Sequence, residues 1–240
     1  MAPRSPRLAP SASLVTPLLG VLALLLALSG CGTSAPGAPP LPAAADLLSR
    51  SAAAMASVQT AVVDVRVDPA LTMIPVRSAT GKLTATGDAV GTATVAQGSA
   101  PVEFSFVITK GTLYLKGATG RYQRWPLAVV ASIYDPTALL RPDRGVAALL
   151  RTATNGTTEA REDVDGVPAY RLRATLDPNL VSGVVPGLTG ANNGTVWIGQ
   201  ASSQLLRAQV EVPNPAGGPP VPATVTLSEL NAPVTVTPPS

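Results

Sequence analysis

The residues best suited to chemistry form an acidic cluster in the second half of the chain. Glu159, Glu162, Asp163 and Asp165 stand within seven residues of one another, and paired carboxylates can perform general acid–base catalysis. The cluster precedes Gly166 in what the sequence predicts to be a solvated loop before a strand, which favours a charged surface. The 240 residues include no histidine and one cysteine, which excludes a His-dependent triad, a His-ligated zinc site and a disulfide framework. This inventory favours a protein that is not an enzyme and uses no cofactor or metal.

The single cysteine follows a short apolar segment near the N-terminus. Two arginines precede the run from Leu18 to Leu28, and an order of basic, apolar and small residues is typical of a secretory signal peptide. The run has about 11 residues, whereas a membrane-spanning helix needs about 20. The sequence Leu28-Ser29-Gly30-Cys31 resembles a bacterial lipobox, whose cysteine receives a diacylglyceryl group. We therefore expect removal of residues 1–30 and a lipid anchor at Cys31, on the outer face of a bacterial cytoplasmic membrane.

The charge balance does not favour nucleic acid as a partner. The full chain has 17 basic and 14 acidic residues, and loss of Arg4 and Arg7 with the signal peptide leaves 15 against 14. The sequence shows no evident cluster of Lys and Arg with interleaved aromatic residues, which a nucleic-acid surface requires. Nucleic-acid binding is therefore not predicted.

Composition divides the processed chain into a tether and one folded domain. Residues 32–42 contain four prolines, two glycines and no charged residue, a composition typical of an extended linker. We assign residues 31–43 to the acylated cysteine and its tether, 44–237 to the folded domain, and 238–240 to a frayed C-terminus.

Apolar and polar residues alternate through most of the folded domain. The alternation predicts strands over 61–68, 102–109, 170–177, 206–212 and 224–228, and weaker strands over 80–86, 89–96, 112–116, 195–199 and 234–237. Helical spacing predicts helices over 44–58, 127–134, 143–152 and 178–185. Tight turns are predicted at Lys110-Gly111 and Asn193-Gly194.

Strict alternation indicates strands with one wet face and one buried face, as in antiparallel sheets. The predicted class is α+β, with a single large curved antiparallel sheet and a few helices on its apolar face. About ten strands of about seven residues give an apolar face of roughly 1,100 Å², and the short helices cover about half of it. The sheet must therefore curl over itself or enclose a cavity.

Several sequence blocks resemble one protein family. They are Ile133-Tyr134-Asp135-Pro136, the stretch from Leu139 to Leu150, the stretch from Gly166 to Leu172, and Thr195-Val196-Trp197-Ile198. Their order and spacing are similar to those of the mycobacterial LppX/LprA/LprF/LprG lipoproteins over nearly the whole processed chain. Leu230-Asn231 departs from the family pattern where relatives tend to have Trp-Gly.

The resemblance implies a U-shaped half-barrel with helices in its concave face and a large apolar cavity between them. It also implies non-catalytic binding of acylated lipids or glycolipids, which the protein would carry or present across the cell envelope. The expected partners are the lipid, the membrane through the N-terminal anchor, and a lipid exporter, and the expected state is a monomer.

The candidate cavity residues are aliphatic or aromatic side chains that such a fold places near the helices. They are Phe104, Phe106, Ile133, Leu139, Leu140, Val146, Leu149, Leu150 and Val184. Some of them equally fit an ordinary filled core. The alternative function is therefore a structural or accessory envelope lipoprotein that acts through a protein partner.

Overall fold

The computed structural model of the protein describes residues 39–98, 100–130, 136–185, 188 and 192–239. In these residues it contains one antiparallel sheet of eleven strands, four α-helices and one 3₁₀ helix. The predicted α+β class with a single large antiparallel sheet is confirmed. None of the helices in the described ranges is both long and apolar enough to span a membrane.

Each strand of the sheet pairs with antiparallel neighbours only. In chain order the strands are β1 (Thr60–Val67), β2 (Val76–Thr84), β3 (Ala89–Gln97), β4 (Ala100–Thr109), β5 (Thr112–Lys116), β6 (Tyr122–Pro126), β7 (Thr154–Val164), β8 (Val167–Thr175), β9 (Asn193–Gly199), β10 (Leu205–Val212) and β11 (Val221–Ser228). Their order across the sheet is β6-β5-β4-β3-β2-β1-β11-β10-β9-β8-β7. The sheet is open, with β6 at one edge and β7 at the other.

The helices are short and pack on the apolar face of the sheet. They are α1 (Ala44–Ala56), α2 (Leu127–Val130), the 3₁₀ helix (Pro136–Leu140), α3 (Val146–Thr152) and α4 (Pro178–Val184). Along α1, Leu47, Leu48, Ala52 and Met55 recur at helical spacing and are buried, so this face of the helix packs against α3 and β7. The predicted helix over 127–134 is present from Leu127 to Val130, and its remaining residues lie outside the described part of the chain. The helix predicted over 143–152 begins only at Val146.

Two strands lie where the sequence did not predict any. Glu159, Glu162 and Asp163 of the acidic cluster were predicted to lie in a loop but belong to β7. Asp165 and Gly166 both have positive φ and form the tight turn between Val164 and Val167. β6 was missed because four of its five residues are exposed and an edge strand with two wet sides lacks simple alternation. The predicted strand over 234–237 is wrong, since residues 232–239 have no regular structure.

The two predicted turns have different outcomes. Lys110-Gly111 connects β4 to β5, and both residues have positive φ, as the hairpin turn requires. Asn193-Gly194 instead lies inside β9. A Cβ atom at Gly194 would collide with the side chain of Leu176, so this glycine is required by packing and not by a turn.

Candidate functional site

An apolar cavity lies between α3, α4 and the central strands β10 and β11. It has a volume of about 40 Å³, and the described residues that line it contribute no polar atom. Its walls are formed by Val146, Leu149, Leu176, Val181, Val184, Val185, Leu188, Leu205, Ala208, Val210, Ala223 and Val225. Ligand pockets for drug-sized molecules have volumes of roughly 300–1,000 Å³. In this conformation the cavity is therefore too small for an acyl chain.

Helix α4 forms one wall of the cavity. It begins at Asp177, whose carboxylate accepts a hydrogen bond from the backbone N–H of Asn179 at 2.9 Å, and Pro178 occupies its first turn. The cap fixes the start of the helix. Val181 and Val184 then turn toward the cavity, and the helix as a whole packs against α3 and the 3₁₀ helix.

The apolar face of the sheet continues from the cavity toward β4 along a cross-strand row of apolar side chains. One cross-strand row starts at Ala208 and Val225 in the cavity wall and passes through Val65 of β1. It goes on to Ala79, Ala93 and Phe104 on β2, β3 and β4. Because neighbouring strands lie about 4.8 Å apart, this row links the cavity to Phe104 across four strands.

Small residues in the middle of this face leave a space that an aromatic ring occupies, and we call this place the trough. Gly81 and Gly91 are cross-strand partners, and the ring of Phe106 lies over both. A Cβ atom added at Gly91 would be 2.9 Å from Phe106 Cζ, and one at Gly81 would be 3.2 Å from it. The phenylalanine is only half-buried, so the trough is filled by an aromatic ring that solvent can reach.

The structure places eight of the nine predicted cavity residues, in four different environments. Val146, Leu149 and Val184 line the cavity. Leu139 and Leu140 on the 3₁₀ helix are each 4% exposed and pack near β2, between the cavity and the open part of the face. Phe104 and Phe106 lie on that open part. Ile133 and Cys31 fall outside the described residues.

Leu150 faces a different depression, which the sequence did not indicate. With residues of α1, it lines a groove of about 470 Å³ between α1 and α3. The lining includes Ser49 and Arg151 and several alanines of α1. The alanines of α1 could not predict this groove from the sequence, because the groove depends on how the two helices cross.

The acidic cluster is part of an ion-pair network on the outer face of the sheet. Glu159 accepts from Arg173 Nε at 2.9 Å and also pairs with Arg171. Glu162 accepts from Arg171 Nη1 at 2.5 Å and from Trp197 Nε1 at 2.9 Å. Side chains of β8 and β9 therefore donate hydrogen bonds to these carboxylates. Among the described residues, no group of three or more His, Cys, Asp or Glu is arranged to hold a metal ion.

A sequence profile of the LppX/LprAFG lipoproteins matches residues 43–236. The chain belongs to this family. A similar relative is the lipoarabinomannan carrier protein LprG of Mycolicibacterium smegmatis, which is 34% identical over 94% of this chain and 96% of its own length. LprG of Mycobacterium leprae is 31% identical over 92% of this chain and 95% of its own length.

Solved structures of the LppX/LprAFG family share the fold. LprF from Mycobacterium bovis has a TM-score of 0.73 and 27% identity, and the match covers 84% of this chain and 99% of LprF. LppX from Mycobacterium tuberculosis has a TM-score of 0.58 and 23% identity, and the match covers 82% of this chain and 100% of LppX. The resemblance found in the sequence is confirmed. The family consists of lipoproteins, and the relatives are named as carriers and not as enzymes.

Proposed function

We propose that the protein is a membrane-anchored, non-catalytic carrier that binds the acyl chains of lipids or glycolipids and moves or presents them across the cell envelope. The observation that carries this proposal is the wholly apolar cavity wall and its continuation over the sheet to Phe104. An acyl chain needs an aliphatic wall and no hydrogen-bonding group. The carrier name of the LprG relatives supports the same function.

Binding requires the cavity to expand, and the 3₁₀ helix and α4 are the elements placed to allow it. The 3₁₀ helix packs on β2 and against α4, so its displacement would join the cavity to the trough. α4 has only seven residues, and a helix of that length has little stability of its own in water. Its position therefore depends on packing, and acyl chains can replace that packing.

The energetics favour reversible loading. Burial of about 600 Å² of acyl surface is favourable by about 15 kcal/mol relative to water, before the losses of association. The lipid starts in a bilayer, however, where its chains are already buried. The net free energy of transfer is the small difference between two apolar environments, which suits a protein that has to release its cargo.

A pair of tryptophan variants on α4 tests the proposal. Val184→Trp places an indole in the cavity, whereas Gly183→Trp places one on the exposed side, where a Cβ has no neighbour within 4 Å. We expect at least a several-fold loss of lipid, measured by organic extraction and lipid analysis, in Val184→Trp only, with little change in melting temperature. Loss of lipid in both variants, or a wild type without extractable lipid, would contradict the proposal.

The material for these tests is the unacylated chain from Gly32 to Ser240. The described core cluster lies between Ala44 and Leu230, so removal of the first 31 residues takes away none of it. The proposed anchor is tested separately with the full chain. Cys31→Ala should abolish incorporation of a fatty-acid analogue, and label persisting on that variant would refute lipidation at this cysteine.

A second candidate function is a structural or accessory lipoprotein that acts through a protein partner such as a lipid exporter. The observation that favours it is the cavity volume of about 40 Å³, since a nearly filled core needs no ligand. In a close-packed site, Val184→Trp would lower stability by about 1–3 kcal/mol and there would be no lipid to lose. Urea denaturation of the same variants separates the two functions.

A further inference from the structure

Charge and aromatic residues are concentrated in one segment of the chain. From Phe104 to Val130 there are four basic residues, no acidic residue, and five of the eight aromatic residues. The rest of the chain after residue 30 has 11 basic and 14 acidic residues. The expectation that the chain has no basic cluster with interleaved aromatics was wrong, because these residues lie in one stretch of the sequence. The pairing of β5 with β6 then places them side by side.

The cluster lies at the β6 edge of the sheet, and we call it the basic edge. It consists of Tyr114, Lys116, Arg121, Tyr122, Arg124 and Trp125. Lys116 is paired in register with Tyr122, and its Nζ is 5.2 Å from the centre of that ring. Arg124 is paired with Tyr114, and its Cζ is 5.6 Å from that ring. The two cations are therefore held beside aromatic rings on the outer face.

The cations of the basic edge are not neutralised. Among the described residues, no carboxylate lies within 4.0 Å of Lys116, Arg121 or Arg124. Elsewhere on the same sheet, Arg171, Arg173 and Arg207 each pair with an acidic side chain, as do several other cations. The basic edge thus presents a net positive surface, while the rest of the chain after residue 30 is net negative.

The inner side of the same edge carries apolar side chains beside Gln123. Trp125 is 45% exposed and lies opposite Leu113 of β5. Leu113 in turn is paired with Ile108, on the same face of β4 as Phe106. An amphipathic ring such as that of Trp is favoured at the boundary between water and lipid. The edge therefore has cations and tyrosines on one side and an exposed indole on the other, next to the open apolar face.

We propose that the basic edge docks on the surface of an anionic lipid bilayer. Unneutralised Lys and Arg side chains are attracted to anionic headgroups, while Tyr and Trp rings occupy the interfacial region. Docking in this way would bring the open apolar face next to the bilayer. The inference deepens the proposed function, because it names the surface through which the carrier meets the membrane.

Vesicle binding by the unacylated chain from Gly32 to Ser240 tests this inference. We expect co-sedimentation with vesicles of phosphatidylcholine containing 30% phosphatidylglycerol, and much weaker binding to phosphatidylcholine alone. Lys116→Gln combined with Arg124→Gln should weaken binding by roughly 25-fold, since each cation near an anionic surface contributes roughly fivefold. Raised salt should weaken wild-type binding, because it screens exposed charges.

The matched control removes the same charge from other surfaces. Arg50→Gln on α1 combined with Lys82→Gln on β2 should change the affinity by less than about threefold. A loss in the control as large as that in the edge variant would show that only total charge matters, and would overturn the inference. Equal binding to neutral and anionic vesicles would also overturn the inference. Binding to neither kind of vesicle would overturn it as well, and would indicate that the basic edge binds a protein partner instead.

A spectroscopic measurement reports contact at the edge itself. The chain has two tryptophans, so Trp197→Phe leaves Trp125 as the single indole. Its emission should shift to shorter wavelength on addition of anionic vesicles, and an unchanged spectrum during binding would contradict docking by this edge. Organic extraction of the charge variants should yield wild-type amounts of lipid. Failure of the carrier function and failure of docking therefore give different results.

Discussion

The two halves of the sheet differ in how completely their apolar faces are covered. From β8 to β10, residues such as Leu172, Val196 and Ile198 are fully buried, and the outer face is neutralised by ion pairs among Glu159, Glu162 and the arginines of β8. From β3 to β6, the phenylalanines of β4 and the residues of β5 are only partly buried. No carboxylate in the described part of the chain lies within 4.0 Å of the cations of the basic edge. We infer that the first half supplies stability and the second half supplies the surfaces for lipid and membrane.

The largest expected difference between the halves is in the cost of losing an apolar side chain. Leu172→Ala in the closed half should lower the free energy of unfolding by about 2–5 kcal/mol, because it leaves a cavity in a packed core. Phe104→Ala in the open half should cost only about 1–2 kcal/mol, because its ring is partly solvated already. Urea denaturation of both variants measures this, and equal costs would refute the division into two halves.

A second comparison uses one glycine of the trough and one on the exposed side of α4. At Gly91 a Cβ would meet the carbonyl oxygen of Thr80 and lie 2.7 Å from the Cα of Gly81, so Gly91→Ala should destabilise by about 1–3 kcal/mol. At Gly183 in α4 a Cβ meets nothing within 4 Å, so Gly183→Ala should stabilise by about 0.5–1 kcal/mol. Thermal unfolding measures both changes, a lower melting temperature for Gly91→Ala and a higher one for Gly183→Ala. A neutral Gly91→Ala would mean that the strands of the trough are not packed as described.

The smallest expected effects concern the outer faces. Glu162→Gln weakens the contacts with Arg171 and Trp197 and should cost about 1 kcal/mol, less at high salt, because the groups are about a third exposed. Arg124→Gln has no carboxylate to lose and should change stability by no more than about 0.5 kcal/mol. A cost at Arg124 equal to that at Glu162 would indicate an ion pair at the basic edge and weaken the docking inference.

The sequence predicted the elements whose residues obey a simple period. The alternation of Val63, Val65 and Val67 with polar neighbours identifies β1, because one side of that strand is wet and the other buried. β7 was not predicted because its acidic residues do not follow a simple apolar–polar alternation. Their partners are the arginines of β8, a strand that comes later in the chain. The Asp165-Gly166 pair was the available signal, because such a dipeptide favours a two-residue hairpin.

The candidate site was predictable in composition but not in geometry. Leu139, Leu149 and Leu150 are the same residue type within twelve positions, yet one is core, one lines the cavity and one faces the groove between α1 and α3. Only the packing of the helices decides among these places. The pairing of Gly81 with Gly91 likewise depends on strand register, which no local pattern contains.

Native mass spectrometry of the unacylated chain from Gly32 to Ser240, purified from a mycobacterial host without added lipid, tests the central claim most directly. The cavity wall is wholly apolar and joins an open apolar face, so we predict an added mass that leaves on collisional activation and that organic extraction identifies as an acylated lipid. A spectrum with the bare protein mass alone, unchanged after incubation with lipid vesicles, would contradict the carrier function.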